Sequence, residues 1–111
     1  MTTYTRRDLV DQALRNLGVL PANATPSAAD VATVDAKVDA LVDELSTLDV
    51  VTISDIEEIE ARYFFSLAVC LADVCKNEFG GSQVDRAAAE MQLRRLNYVG
   101  PDYSVKSVDY F

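Results

Sequence analysis

The residues whose types could do chemistry are few and closely grouped. Glu57, Glu58 and Glu60 place three carboxylates within four positions, and a carboxylate pair performs acid–base chemistry when its surroundings push the two pKa values apart. Nothing in the flanking sequence supplies a pocket to do this, so the cluster reads as the solvated start of a helix. Cys70 and Cys75 are the only thiols. On a helix their Cα atoms stand about 8 Å apart, too far for a disulfide, and both read as buried reduced thiols. His is absent, which removes the commonest general base, the Ser–His and Cys–His nucleophile pairs, and every His-containing metal site. The aspartates lack the Asp-x-Asp-x-Asp-Gly spacing of a calcium loop. Neither a Gly-x-x-x-x-Gly-Lys loop nor a Gly-x-Gly-x-x-Gly turn is present, so no phosphate or dinucleotide cradle is expected. These absences predict a chain that is not an enzyme and carries no cofactor or metal.

A fourth group invites a surface role. Asp35, Asp39 and Asp43 recur at i, i+4 and i+8, which lines them up on one face of a helix. Such a stripe is either an ordinary solvated face or an acidic lining for a channel through which DNA slides without sticking. The wider charge balance agrees with repulsion of nucleic acid. Ten Lys and Arg against 18 Asp and Glu give a net charge of −8 and a pI near 4.3, which argues against a grip on phosphates or acidic lipid.

The elements that must position these groups are helical. At 111 residues, half hydrophobic and a quarter charged, the chain suits one globular domain with a modest core. Thr5 with Asp8 makes a capping signal, Leu9, Val10, Ala13, Leu14 and Leu17 succeed it at helical spacing, and Gly18 is a natural stop. A loop with Pro21 and Pro26 precedes a second capping signal, Ser27 with Asp30, so the next helix should start near Ala28 and run about 20 residues. Val50-Val51-Thr52-Ile53 reads as an extended connection or small strand, with Asp55 a candidate cap for the third helix. From about Glu60 to Phe79 the pattern is apolar around the whole helical circumference. Such a helix must be covered on every side, and its surplus surface, Tyr63, Phe64 and Phe65, predicts a subunit interface. Ser82 with Asp85 signals a fourth helix ending near Asn97. Its apolar positions are Val84, Ala87, Ala88, Met91 and Leu96.

Gly100-Pro101 breaks that helix. The tail beyond mixes Tyr103, Val105, Val108, Tyr110 and Phe111 with polar residues, a β-prone composition suited to docking on a partner. The fold expected is therefore mainly α: four helices in residues 1–99, a short extended or β element before helix 3, and an extended C-terminal arm over 100–111. The longest near-continuous apolar stretch, Tyr63 to Ala72, is too short to span a membrane. The polar opening and unpaired thiols fit a cytosolic folding environment.

These residues resemble the small head-to-tail connector, or adaptor, proteins of tailed bacteriophages and gene transfer particles. The likeness runs from Thr5 to about Arg95. It rests on Thr5-Arg6-Arg7-Asp8-Leu9-Val10, Ala13-Leu14-Arg15-Asn16-Leu17-Gly18-Val19, Pro26-Ser27-Ala28-Ala29-Asp30, Val38-Asp39-Ala40-Leu41 with Glu44-Leu45, Glu58-Ile59, Leu67-Ala68 with Leu71-Ala72, and Phe79-Gly80. All are caps, stops and core positions rather than catalytic signatures. Where relatives often place Pro after the Glu-Ile pair, this chain has Glu60. The resemblance implies a structural virion protein at the head–tail junction, assembled in the host cytoplasm. It implies a homo-oligomeric ring, usually a dodecamer, beneath the portal protein, bounding the DNA exit channel and carrying tail or stopper proteins. The arm would then dock on the portal or a neighbouring subunit. The rival expectation is a small acidic helical regulatory module that mimics DNA or binds a basic partner.

Overall fold

Helix ends in this chain are set by local chemistry that the sequence carries openly. The computed structural model describes residues 3–20, 24–79 and 85–98. Helix α1 spans Arg6–Asn16 and opens with a reciprocal capping box. The Thr5 hydroxyl accepts from the Asp8 N–H at 3.1 Å, and the Asp8 carboxylate accepts from the Thr5 N–H at 3.0 Å, which satisfies two donors that a helix start otherwise leaves unpaired. Helix α2 spans Ala28–Thr47, with the Ser27 hydroxyl accepting from the Asp30 N–H.

Both helices stop by the same device. At the end of α1, Gly18 takes φ +76°, its N–H donates to the Arg15 carbonyl, and the Val19 N–H reaches the Leu14 carbonyl. At the end of α2, Asp49 takes φ +59°, with Asp49 donating to Ser46 and Val50 to Leu45. Each is a Schellman closure, in which a left-handed residue lets the chain cap its own last carbonyls. The strings Leu14-Arg15-Asn16-Leu17-Gly18-Val19 and Leu45-Ser46-Thr47-Leu48-Asp49-Val50 are the shared signal.

Val50–Ile53 is a connection rather than a strand, and the strand before helix 3 is Ile59–Glu60. Strand β1, Thr3–Tyr4, pairs antiparallel with β2, Ile59–Glu60, in the register Thr3 to Glu60 and Tyr4 to Ile59. Val50 and Val51 are buried, but their N–H groups serve the end of α2 by bonding the Leu45 carbonyl, so they are not free for a ladder. Helix α3 then spans Ala61–Cys75, shorter than expected, and passes into a 3-10 turn at Lys76–Phe79. Asp55 caps a turn, its carboxylate accepting from the Glu57 N–H, while the residue before α3 is Glu60, which makes no side-chain cap. Helix α4 spans Arg86–Tyr98. Asp85 accepts from the Ala88 N–H at 3.0 Å and so caps the start of α4. Ser82 lies outside the described residues.

Helix α3 is the central element, packed against all three other helices. Leu67, Ala68, Leu71 and Ala72 meet Leu9, Leu14, Val34, Leu41, Leu45 and Leu93 in one core. Complete burial of each Leu contributes about 1.5–3 kcal/mol. Among the described residues no polar or charged residue is buried, and no buried side-chain polar atom lacks a partner. The neighbours cover most of the apolar circumference of α3, which corrects the expected surplus. Tyr63 and Phe64 are 6% and 3% exposed within the chain's own core, so two of the three aromatics assigned to a subunit interface are held inside. Phe65, at 58%, stays outside.

Candidate functional site

The acidic stripe forms around a cation that no local pattern announces. Asp35 and Asp39 rise from consecutive turns of α2 and face the first turn of α1. Arg6 Nε donates to Asp35 Oδ1 at 2.7 Å, Nη1 to Asp39 Oδ1 at 2.9 Å, and Nη2 to the Asp35 carbonyl at 3.1 Å. The hydrogen bond to Asp35 raises the Arg6 pKa against the opposing effect of burial, and Asp39 adds to it. Two of the three carboxylates are therefore a clamp between α1 and α2. Only Asp43, exposed and without an ion pair among the described residues, keeps the character of a bare acidic face. No sequence pattern links position 6 to position 35, because the pairing is tertiary.

The other chemistry-bearing residues separate. Glu57 Oε1 accepts from the Arg6 N–H at 3.3 Å, Glu60 pairs with Arg62 at 2.9 Å, and Glu58 is exposed. The hollow beside Glu58 and Glu60 holds about 40 Å³, far below the several hundred of a ligand pocket. Cys70 and Cys75 are free and buried, as expected. Burial pushes the Cys70 thiol up to about 11, against the pull of nearby Arg86, and raises Cys75 as well, so neither is an activated nucleophile. Arg86 joins three helices, bonding Glu90 at 2.6 Å and Glu44 at 2.8 Å and approaching Asp73 at 3.5 Å. Burial opposes its charge, but the bonds to Glu44 and Glu90 prevail and raise its pKa. Among the described residues no cluster of His, Cys, Asp or Glu is arranged to hold a metal, and no helix is long and apolar enough to cross a membrane.

What remains is an apolar surface centred on Phe65. Its ring stands edge-on to Phe64 at 5.1 Å and to Tyr4 at 6.3 Å, and Tyr4 stacks on Phe64 at 4.0 Å. The pairing of β1 with β2 is what brings Tyr4 over α3. On one side of Phe65 lies an open groove of about 470 Å³, lined by Asn16, Ser66, Val69, Asp85, Ala88 and Ala89. On the other, a hollow of about 180 Å³ runs along Asp8, Asp11, Gln12 and Arg15 of α1. The other large exposed apolar residues described are Met91 at 62% and Leu48 at 48%. A signal for this face was present in the sequence. Arg62, Ser66 and Asp73 mark a narrow polar stripe on α3, and Phe65 and Val69 lie along it rather than in the core. Tyr103, Val105, Val108, Tyr110 and Phe111, assigned to the docking arm, lie outside the described residues.

Comparisons with protein-family models, with curated proteins and with solved structures find no match for this chain.

Proposed function

We propose that this chain is a non-enzymatic assembly protein, a ring-forming head-to-tail connector that attaches to a portal and carries tail components. The observation that carries the reading is the apolar surface around Phe65, in a helical domain where Arg6 and Arg86 are held by carboxylates of neighbouring helices. A Phe more than half exposed beside an apolar groove leaves most of its apolar surface in water in the isolated fold and fits contact with another protein surface. A heterologous contact of this kind closes rings when its rotation permits. The likeness of the caps, stops and core positions to connector proteins supports the same reading. In this proposal DNA passes through the ring without specific binding, and the tail beyond residue 99 docks on the portal.

The test is mass determination by light scattering, on the protein alone and mixed with portal rings from the same particle. A ring, spontaneous or formed on the portal, is expected. Phe65→Glu should abolish it while leaving the far-UV circular dichroism unchanged and unfolding a single cooperative transition. A monomer or dimer that ignores portals would overturn the connector and direct the search to a basic partner.

A further inference from the structure

The exposed face of α4 carries opposite charges at its two ends and an apolar centre between them. Ala88, Met91 and Arg95 recur at helical spacing and all three are exposed, so they lie along one face. At its start Asp85 stands exposed, its carboxylate capping the helix. Near its end Arg94 and Arg95 stand exposed and make no ion pair among the described residues. Between the two ends Met91 is 62% exposed, and Ala88, one turn back, lines the groove beside Phe65.

Such a face is complementary to itself when turned end for end. Asp85 and Arg95 stand about 15 Å apart along the helix axis. Two copies of α4 laid antiparallel, with a two-fold axis at the level of Glu90, bring Asp85 of each copy level with Arg95 of the other at both ends of the contact. Parallel pairing would instead set arginine against arginine and aspartate against aspartate, so the charges select the antiparallel arrangement. In that register Ala88 lies level with Gln92 of the second copy. Met91 crosses the small side chains of Ala87 and Ala88, both exposed, and these admit it to the groove that Ala88 borders. A two-fold contact needs one self-complementary patch, and this face supplies it.

We propose that the free protein is a two-fold dimer in which α4 packs antiparallel on α4 of a second copy, with Met91 of each entering the groove beside Phe65 of the other and Asp85 facing Arg95 across both ends. The pair covers the groove that the ring contact uses, so it must part before a ring closes; this consequence alone rests on the ring reading. The dimer itself stands or falls separately. Incorporation on a portal by a protein that is monomeric when free would overturn the dimer and leave the connector standing, and a dimer that ignores portals would do the reverse.

The test is sedimentation equilibrium on the full chain without portals, where a reversible monomer–dimer equilibrium is expected. Changing Arg94 and Arg95 together to Glu should raise its dissociation constant at least tenfold with the circular dichroism unchanged. Asp85→Asn, which retains a capping side chain, should raise it at least threefold. A monomer at submillimolar concentration, assembly that passes straight to a larger ring, or a constant unmoved by the arginine changes overturns the proposal. A second measurement fixes the register. Equal amounts of an Ala88→Cys chain and a Gln92→Cys chain are mixed and mildly oxidised; the native thiols are buried and stay out of the reaction. The disulfide between positions 88 and 92 of different copies should form at least tenfold faster than one between Ala88→Cys and Ala29→Cys chains. No preference over that control, or a dominant link of position 88 to itself, overturns the antiparallel pair.

Discussion

Replacing Arg6 with Met retains the apolar stem and removes the three hydrogen bonds that fasten α1 to α2. The guanidinium side chain is 22% exposed, with partners of unequal burial: Asp35 is 45% exposed and Asp39 is 81% exposed. The short bond to half-exposed Asp35 contributes about 1 kcal/mol, and the one to the Asp35 carbonyl about 0.5–1. The pair with Asp39, almost wholly in water, adds only a few tenths. Arg6→Met should therefore cost about 2 kcal/mol. Asp35→Asn should cost about 1 kcal/mol and Asp39→Asn a few tenths, whereas Asp43→Asn should cost nothing, since it relieves repulsion from Asp39 four residues away. Urea unfolding monitored by circular dichroism measures all four, and double-mutant cycles apportion them. Coupling between Arg6→Met and Asp35→Asn should be about 1 kcal/mol, and coupling between Arg6→Met and Asp43→Asn should vanish. Equal costs for Asp35→Asn and Asp43→Asn, with no coupling to Arg6, would refute the clamp and return the three aspartates to a single open face.

Named contacts elsewhere in the fold carry three further expectations. Asp49→Gly should stabilise the protein by about 1 kcal/mol, raising Tm by about 4 °C in a thermal scan. It relieves a left-handed non-glycine residue at φ +59° and removes a carboxylate from the negative end of α2, gains that exceed the added chain entropy of Gly. Ellman's reagent should leave Cys70 and Cys75 unmodified at pH 8 in the folded protein and titrate both in urea. Because the Cys70 pKa is raised from 9.0 to about 11, its contribution is fully present below about pH 9 and lost as pH climbs through 11. Urea midpoints taken across that window check the sign. Arg86→Met should cost about 2 kcal/mol by leaving Glu44, Asp73 and Glu90 without their shared cation, and charge-neutralising Glu90→Gln in the same chain should recover part of it.

Local signals are legible in the sequence because local chemistry creates them. Thr5 with Asp8, Ser27 before Ala28, and Gly18 each act within one turn of the residue named. The limits are tertiary. β1 and β2 are two residues each, too short to show a period, and their pairing joins Tyr4 to Ile59 across the chain. Val50 to Ile53 have strand-forming side chains, yet two of their amides are committed to closing α2. Packing of α1, α2 and α4 divides the aromatic triplet of α3 into two buried rings and one exposed ring, and the trace of that division in the sequence is the narrow polar stripe of Arg62, Ser66 and Asp73 beside Phe65. The stripe of aspartates is visible, but its counter-ion stands 29 residues away.

The first turn of α1 holds two arginines, Arg6 and Arg7, at the positive pole of its own dipole, where cations oppose helix formation. With only 11 residues, the segment falls below the length at which an isolated helix persists in water. Its helicity is thus conditional: Asp35 and Asp39 must dock before the charge of Arg6 ceases to count against it, and Glu57 must arrive to accept the Arg6 amide. Formation of α1 is in this way coupled to closure of the domain, its first-turn charge being offset by Asp8 from within and by Asp35 and Asp39 from α2.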